Sequence, residues 1–407
     1  QDLGEVSVFI NGGYIRDLLL GKEPDDLDLS LCLRDCPAHV TVGTLLNLLP
    51  AFAEQRSDLG IREVKIATIL SNESKDKQLD TFKGHFTDIS DRKTEVDVMP
   101  TIGEETYEEG SRTPIRDQRG TPEADALRRD LTIGALLLRV NVGDAPDAGL
   151  SYTFLDFYGG LEDLQRGVLR SPAPASGLKE VRSVVLQGES EERLADSLGL
   201  AKLEEDAAMQ VLWWAKILTD DPLRVCRALR FMAKLNFSLH PAFWQATPFV
   251  MNALRSKVAG GRKFTEYVKI GGYGFRACAE FFELAFSRTF GPENSRLASA
   301  LFGGQDGKSV AKSLSEVRGF DCELYRGLAL TLDGVDEAPI LFGGLLATAI
   351  FSAEMQGSEN ASSEFSRACD GMCVSNVMRE TGSAVFQAAA RLGAATVTPG
   401  PVERAFA

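Results

Sequence analysis

The chain has 407 residues, of which 44% are apolar and 25% are charged. At roughly 100–200 residues per domain, this length predicts two to four domains, and the composition excludes a collagen-like or generally disordered chain. No run of about 18 apolar residues occurs, so we expect no membrane span. The formal net charge of −14 argues against a protein that coats nucleic acid non-specifically, because such proteins are basic.

Charge is distributed unevenly along the chain. Residues 1–150 contain 17 Lys/Arg and 28 Asp/Glu, whereas residues 224–276 contain ten Lys/Arg and a single acid, Glu266. Such a basic segment in an acidic chain is either a local site for a polyanion or a solvated helical face.

Cysteine content and the first residue bear on the compartment. Seven Cys, an odd number spread widely, predict reduced thiols in an intracellular protein. The sequence begins at Gln1 with neither Met nor a signal-peptide pattern, so we expect a processed or truncated chain. Mitochondrion and cytoplasm both stay open as locations.

Residues 1–150 combine strand and helix periodicities, which predicts a mixed α/β region. In chain order the predicted elements are a strand over 6–10, a Gly-rich turn at 11–13, a helix over 14–20, strands over 26–33, 64–70 and 94–98, and a helix from Thr121 to about Arg139. Beyond Phe154 apolar residues recur at spacings of three and four, which predicts a helical remainder. Polar stretches at 171–206 and 355–365 are predicted surface loops.

Two carboxylates in the second predicted strand indicate a metal site. Asp26 and Asp28 are two residues apart, so both project from one face of the strand, where they repel each other unless a cation lies between them. Mg²⁺ prefers such oxygen ligands. Upstream, Gly12 and Gly13 allow backbone N–H groups at a helix start to approach a phosphate closely. This combination predicts a nucleoside triphosphate and phosphoryl or nucleotidyl transfer.

Three longer segments make the pattern more specific. They are GGYIRDLLLG followed by DDLDLSL, the stretch from Tyr107 through SRTPIRDQRGTPEADALRRDLTIGALL, and DDPLRVCRALRFMAKLNF at 220–237. In this order they resemble the tRNA nucleotidyltransferases, or CCA-adding enzymes, of the class shared by bacteria and eukaryotes, and the related bacterial poly(A) polymerases. The second segment resembles the eukaryotic branch in particular. The resemblance covers residues 6–170 and 218–270.

This resemblance implies an α/β nucleotidyltransferase head of the polymerase β type, followed by an all-α neck, body and tail. The implied domains are a catalytic head over 1–150, a neck over 151–275 with 171–206 as an insertion, and a body and tail over 276–407. The implied reaction transfers CMP and AMP from CTP and ATP to the 3′ end of tRNA, with two Mg²⁺ ions as cofactors.

The resemblance also assigns roles to individual residues. Asp26 and Asp28 match the metal-binding aspartates, while Asp97 is either a third carboxylate of the site or an exposed acid. The other matches are Gly12, Gly13 and Arg16 for the triphosphate, Arg128, Arg129 and Asp130 for the nucleotide sugar and phosphates, Asp221 and Arg224 for the base edge, and Arg227 and Arg230 towards the phosphates.

The spacing of charges supports the last assignments independently. Five charged residues recur at intervals of three and four and would form one polar stripe on a helix: Asp221, Arg224, Arg227, Arg230 and Lys234. Val225, Leu229 and Met232 would then lie towards the core. An isolated pair would be a solvated salt bridge, but several like charges at these spacings repel, and a bound polyanion would relieve the repulsion. We expect tRNA to contact the outer cations of the basic segment, Lys257, Arg262 and Lys263.

Two departures from the family pattern concern activity. Gly134 stands where the family usually has Asn, inside the predicted helix, where Gly costs about 1 kcal/mol relative to Ala. Thr101 and Ile102 stand in the region where an Arg is usual. These departures motivate an alternative from another class, a catalytically degenerate relative that serves as a structural or RNA-binding subunit of a larger assembly, for example a ribosomal one. The intact DLD, RRD and DDPLR sequences argue against it, because a scaffold has no need to keep metal ligands. Template-free poly(A) addition is a third possibility.

Overall fold

The computed structural model divides the chain into two compact units, residues 1–181 and 182–407. The residues it describes are 4–24, 26–69, 81–103, 105–106, 115–143, 149–174, 196, 198–290, 295–302, 317–355, 361–372, 376, 378–385 and 387. Tyr107 and the residues up to 114 of the second motif segment therefore lie outside the described residues. The same holds for residues 175–195 and 197 of the predicted insertion and for 356–360 of the second predicted loop.

A seven-stranded mixed sheet organises the first unit, in the order β3-β4-β5-β2-β1-β8-β9. Strands β2 and β5 are parallel, and the other neighbours in this sheet are antiparallel. The strands of the sheet are β1 (Ser7–Asn11), β2 (Leu27–Cys32), β3 (Ile61–Ile69), β4 (Thr81–Asp88), β5 (Lys93–Pro100), β8 (Leu137–Val142) and β9 (Leu150–Leu155). Three two-residue strands lie outside it: β6 (Glu105–Thr106), β7 (Ile115–Arg116) and β10 (Val168–Leu169).

Alternation along the strands separates two faces of this sheet. On one face, Leu31, Val96 and Val98 pack with Val42 and Leu46 in a buried cluster.

The helices of this unit are α1 (Gly12–Leu19), α2 (Val42–Leu46), α3 (Leu49–Gln55), α4 (Pro122–Leu127) and α5 (Gly160–Arg166). A second, smaller cluster joins β1, α4 and β8 through Phe9, Ala126 and Leu137. The face that carries Asp28 and Asp97 is therefore backed by a packed core.

The helix predicted from Thr121 to about Arg139 is much shorter in the structure. Thr121 is its N-cap as predicted, since its side chain accepts a hydrogen bond from the Ala124 N–H, but the helix ends at Leu127. Thr132–Gly134 form a 3₁₀ turn, and β8 follows. Pairing of β8 with both β1 and β9 satisfies its backbone on two sides, which outweighs the helical propensity of its leucines. Gly134 is thus not in a helix interior, so the helical cost of Gly does not apply.

The predicted head boundary at residue 150 falls at the start of β9. This strand runs from Leu150 to Leu155 and pairs with β8, so the sheet continues beyond that boundary. Helix α5 follows, and its Asp163 accepts a hydrogen bond at 2.6 Å from Thr132 in the turn before β8. The strand pattern of β9 is easily missed because most of its residues are exposed. The division of the remainder into neck, body and tail stays a prediction.

The second unit is largely helical, as predicted. Its helices are α6 (Glu205–Asp220), α7 (Leu223–Leu235), α8 (Pro241–Lys257), α9 (Gly260–Gly271), α10 (Phe275–Ser287), α11 (Leu297–Phe302), α12 (Cys322–Ala329), α13 (Ala338–Phe351) and α14 (Ala361–Met372). Its short strands are β11 (Ser238–Leu239), β12 (Thr289–Phe290), β13 (Ser295–Arg296), β14 (Val317–Phe320) and β15 (Ala353–Met355). Within the described ranges, no helix has both the length and the apolar character needed to cross a bilayer.

Helix α11 is fully buried, and two side chains of α9 bind its last carbonyl groups. Lys263 Nζ donates to the Ala300 carbonyl at 3.1 Å, and the Tyr267 hydroxyl donates to the Leu301 carbonyl at 3.0 Å. These carbonyls lie at the end of a helix, where intrahelical donors are lacking and a cation is favourable. Lys263 has no exposed surface, so the prediction that it contacts RNA is wrong. Charge alone could not distinguish it from its exposed neighbour Arg262.

Replacing Lys263 with Met should change how stability depends on pH. Burial lowers the pKa of Lys263 to about 8, from an ordinary value of 10.5 in the unfolded chain. Between these values the unfolded state binds more protons, so the folded state gains stability as the pH rises. From pH 7.5 to pH 10 the wild type should gain about 2 kcal/mol relative to Lys263→Met, measured by urea unfolding. Parallel pH profiles of the two proteins would contradict the lowered pKa of Lys263.

Candidate active site

Asp28 and Asp97 are direct neighbours on the parallel strands β2 and β5. Their side chains therefore lie on the same face of the sheet. Asp26 precedes β2 and is exposed, but it lies close enough to influence Asp28. Burial raises the pKa of Asp28 above its ordinary value, Asp97 and Asp26 add to the rise, and Arg129 and Lys83 oppose it. This neighbourhood of carboxylates disfavours the ionised form of Asp28 and would be relieved by a cation.

The oxygen donors at this position suit a hard divalent cation. Among the described residues, no group of three or more His, Cys, Asp or Glu side chains is close enough to form a complete metal site. Mg²⁺, however, is commonly held by one or two carboxylates, with water and substrate phosphates as its other ligands. Asp28 and Asp97 fit that arrangement, and Asp26 is the nearby third acid.

The two glycines begin α1 instead of forming a turn before it. Asn11 is the N-cap, and its side chain does not cap the helix, so the first N–H groups of α1 receive no side-chain acceptor from it. A Cβ atom on Gly12 would lie 2.4 Å from the carbonyl oxygen of Gly134, whereas one on Gly13 would meet nothing within 4 Å. Gly12 is therefore required by a close backbone approach, and Gly13 is not. Gly134 itself borders open space.

A buried carboxylate, Asp125 of α4, orients the two arginines of the RRD motif, which is formed by Arg128, Arg129 and Asp130. Its oxygens accept hydrogen bonds from Arg128 Nη2 and Arg129 Nη2, each at 2.7 Å, and from the Ile102 N–H at 3.0 Å. Burial alone would raise the pKa of Asp125, but Arg129 and Arg128 outweigh it and hold that pKa below its ordinary value. The side chain of Ile102 is buried in the core, so this position supplies a backbone donor to Asp125 and no arginine to the site.

Asn11 connects Arg129 to β2, the strand that carries Asp28. Its Oδ1 accepts from Arg129 Nη2 at 3.2 Å and from the hydroxyl of Ser30 at 2.9 Å. Because an arginine can only donate, this contact fixes the orientation of the amide. Two buried donors, Asn11 Nδ2 and Arg129 Nε, have no hydrogen-bond partner among the described residues. Unsatisfied buried donors are costly, and an acceptor such as a phosphate oxygen would satisfy them.

Arg16 and Asp130 occupy different surroundings from Arg129. Arg16 is buried and forms a two-pronged ion pair with Asp17, at 2.7 and 2.8 Å. Asp130 is half-buried, next to the two arginines in sequence. The roles that the resemblance gives to Arg16 and Asp130 stay predictions.

The predicted polar stripe follows one side of α7 in the second unit. Asp221 precedes the helix and accepts a hydrogen bond from the Leu223 N–H at 3.2 Å, and Arg224, Arg227 and Arg230 are all half-buried. Of the three residues predicted on the core side, Val225 and Leu229 are fully buried, whereas Met232 is half-buried.

Arg230 and Arg262 are among the members of this basic region that make ion pairs within the second unit. Arg230 binds Glu266 at 2.6 Å and the Tyr273 hydroxyl at 3.2 Å, so it is already compensated. Arg262 lies 3.8 Å from Asp221. Lys257 and Arg262 are exposed.

Sequence reasoning missed four side chains at the site: Asn11, Ser30, Lys83 and Asp125. Asp125 had a usable signal, because it precedes Arg128 and Arg129 by three and four residues on a helix. The other three depend on strand register, which brings Asn11 next to Ser30 and pairs Lys83 with Asp97. No local pattern shows such pairings.

The chain is similar to known nucleotide-adding enzymes. A model of the Poly A polymerase head domain matches residues 8–170. Over this region the chain is similar to CCA-adding enzymes and poly(A) polymerases. It is 30% identical to a mitochondrial CCA tRNA nucleotidyltransferase of Candida glabrata, over 64% of this chain and 38% of that protein. It is 27% identical to poly(A) polymerase I of Salmonella typhi, over 66% of this chain and 43% of that protein.

Solved structures of the family share the fold. A CCA-adding enzyme in an apo form has a TM-score of 0.50 at 18% identity, over 97% of this chain and 70% of that one. A tRNA nucleotidyltransferase complexed with a primer tRNA and an incoming ATP analog also has a TM-score of 0.50, at 20% identity, over 97% and 85% of the two chains. The predicted fold, a sheet-based head followed by a largely helical region, is thereby confirmed. The matched region spans under half the length of the two relatives named above.

The two glycines at the start of α1 should respond differently to alanine. Gly12→Ala forces a Cβ against the backbone of Gly134 and should destabilise the protein by about 2 kcal/mol or more. Gly13→Ala is the matched control, because its Cβ enters open space and Ala is the better helix former, so its stability should stay within about 1 kcal/mol of the wild type. Thermal unfolding compares them. Equal melting temperatures would contradict the close approach at Gly12.

Proposed function

We propose that this chain is a CCA-adding tRNA nucleotidyltransferase that transfers CMP and AMP from CTP and ATP to tRNA 3′ ends. The observation that carries the proposal is the pairing of Asp28 with Asp97 on one sheet face, within electrostatic reach of Arg129. Carboxylates for a divalent cation and anchored donors for phosphates are the two requirements of nucleotidyl transfer. Similarity to named CCA enzymes of two yeasts, at 30% and 29% identity, supports the choice of reaction.

Different residues of the head would bind the metal ions and the phosphates. Asp28 and Asp97, with Asp26, would hold two Mg²⁺ ions, which when bound activate the RNA hydroxyl and stabilise the leaving pyrophosphate. Arg129, held by Asp125 and Asn11, would bind phosphate oxygens through its remaining donors, and the first N–H groups of α1 would do the same. These groups are fixed before the substrate arrives, so little reorganisation is needed on binding. No side-chain nucleophile is required.

In the second unit, Asp221 and Arg224 would read the Watson–Crick edge of the base. Asp221 can accept from C and A, and Arg224 can donate to them, so the protein would serve as its own template. The exposed cations Lys257 and Arg262 would contact tRNA phosphates.

The alternative of a degenerate structural or RNA-binding subunit of a larger assembly has specific support. Gly134 leaves open space where the family usually has Asn, and Ile102 is a core residue where an Arg is usual. A scaffold has no need of CTP or ATP. Poly(A) addition, the activity in the name of the matched bacterial relatives, is the third candidate.

One assay separates the three candidates. The protein is incubated with Mg²⁺ and a tRNA transcript that ends before CCA. A CCA-adding enzyme should add two nucleotides with CTP alone and three with CTP and ATP, whereas a poly(A) polymerase should add many with ATP alone. No extension, together with no calorimetric binding of CTP by folded wild type, would select the scaffold.

Asp28→Asn should abolish transfer without unfolding the head. The change removes a metal-binding charge and also one of several repelling carboxylates, so activity should fall at least about a hundredfold while the melting temperature hardly changes. Asp58→Asn is the control, since Asp58 is an exposed acid of the same unit that pairs with Arg56. Near-normal activity of Asp28→Asn would rule out the two-metal mechanism.

Arg224→Ala should weaken the choice of base more than it weakens the fold. Leu223 and Val225 are buried on either side and carry the packing. A site built to hydrogen-bond its substrate rejects partners that leave polar groups unpaired, so incorporation of CMP over UMP should fall at least about tenfold. Arg276→Ala is the control, because Arg276 belongs to the same basic segment but pairs with Glu280 on the surface. Unchanged selectivity in Arg224→Ala would refute the base-reading role.

A further inference from the structure

A lysine lies beside the carboxylates that would bind the metal. Lys83 of β4 is the register partner of Asp97 on β5, and Asp97 is in turn the partner of Asp28 on β2. Because register partners share a face, the three side chains form a row across three strands. Lys83 Nζ lies 3.0 Å from Asp97 Oδ1. It also forms an ion pair with Glu95, two residues before Asp97 on the same strand and face.

The charges in this row favour a resident cation. Glu95, Asp97 and Asp28 bring three carboxylates to one side of the sheet, and Lys83 is the cation bound to two of them. Its close ion pairs with the Glu95 and Asp97 carboxylates raise the pKa of Lys83, so it stays charged across the physiological range. Lys83 also opposes the rise in the pKa of Asp28. It therefore supplies part of the compensation that a divalent cation would supply.

We propose that Lys83 is an internal counter-ion that competes with a divalent cation for Asp97 and so weakens metal binding at the Asp28–Asp97 pair. The inference rests on the proposed metal-dependent function and concerns its regulation. An ammonium carries one charge and donates three hydrogen bonds, whereas Mg²⁺ carries two charges and prefers the same carboxylate oxygens. The ammonium and the metal ion therefore compete for the carboxylate oxygens of Asp97.

Glu95 is a second ion-pair partner for Lys83. When a metal takes Asp97, Lys83 can keep its ion pair with Glu95, whose side chain is about half exposed. When the metal displaces Lys83 from Asp97, Lys83 loses one ion pair but its charge is still compensated by Glu95. Without the Glu95 charge, Lys83 would depend on Asp97 alone and compete more strongly. The lysine and the glutamate should thus affect metal binding in opposite directions.

Calorimetric titration of the full chain with Mn²⁺, without nucleotide or RNA, tests the proposal. Lys83→Met should lower the Kd for Mn²⁺ about tenfold, because a positive charge in contact with a ligand is removed but is partly screened by solvent. Glu95→Gln should raise the Kd about threefold, and Lys83→Arg, which keeps the charge, should stay near wild type. Lys65→Met is the matched control: Lys65 is exposed on the same face, on neighbouring β3, and pairs with Glu63.

Asp28→Asn locates the binding and separates the possible failures. If Asp28→Asn loses Mn²⁺ binding but Lys83→Met has the Kd of the wild type, the role of Lys83 is refuted and the proposed function stands. If no variant binds Mn²⁺, Lys83→Met included, both the inference and the metal-dependent function are refuted. A tighter Kd in Lys65→Met as well would show a general charge effect and refute competition at Asp97. Lys83→Gln, which keeps a polar side chain at this partly exposed position, replaces Lys83→Met if circular dichroism shows that the latter is unfolded.

Discussion

The geometry of the candidate active site depends on the buried ion pairs of Asp125. This one carboxylate accepts hydrogen bonds from Arg128 and Arg129, which directly follow α4. It also accepts one from the Ile102 N–H, just beyond the end of β5. Loss of one partner of a buried ion pair typically costs about 3–5 kcal/mol, because the other charge is left without compensation. Asp125 therefore joins the end of a strand to the arginines, and it keeps the guanidinium groups from adopting other positions.

From Asp125 the network extends to β2, the strand that carries Asp28. Arg129 also donates to Asn11 at the end of β1, and Asn11 accepts from Ser30, two residues after Asp28 on β2. Asn11 is in turn followed by Gly12, whose backbone packs against Gly134. The donors proposed to bind phosphate and the carboxylates proposed to bind metal are thus positioned by one set of buried contacts. A shift of any one of them would be transmitted to the others, since packed interiors deform little.

Local patterns predicted those parts of the molecule in which local forces decide the structure. Alternation predicted β2, and the three-and-four spacing predicted the half-buried stripe on α7 with Val225 and Leu229 in the core. The helix predicted as far as Arg139 was wrong because pairing on both sides of β8 overrides propensity. The prediction that Lys263 contacts RNA was wrong, because the burial of this side chain depends on which helix packs against α9. Register-dependent neighbours such as Lys83 and Asp97 are non-local, so no sequence pattern could predict them.

An intact RRD motif is weaker evidence of catalysis than it first looks, because its arginines also hold the fold together. Arg128 would be needed to compensate buried Asp125 even in a chain that binds no nucleotide. The groups that distinguish a ligand site are those that cost stability in its absence. Asn11 Nδ2 and Arg129 Nε are buried donors without partners in the described part of the chain, and Asp28 has a raised pKa among other carboxylates. A structural subunit would gain stability by losing these features, so their presence argues for a phosphate and a cation as ligands.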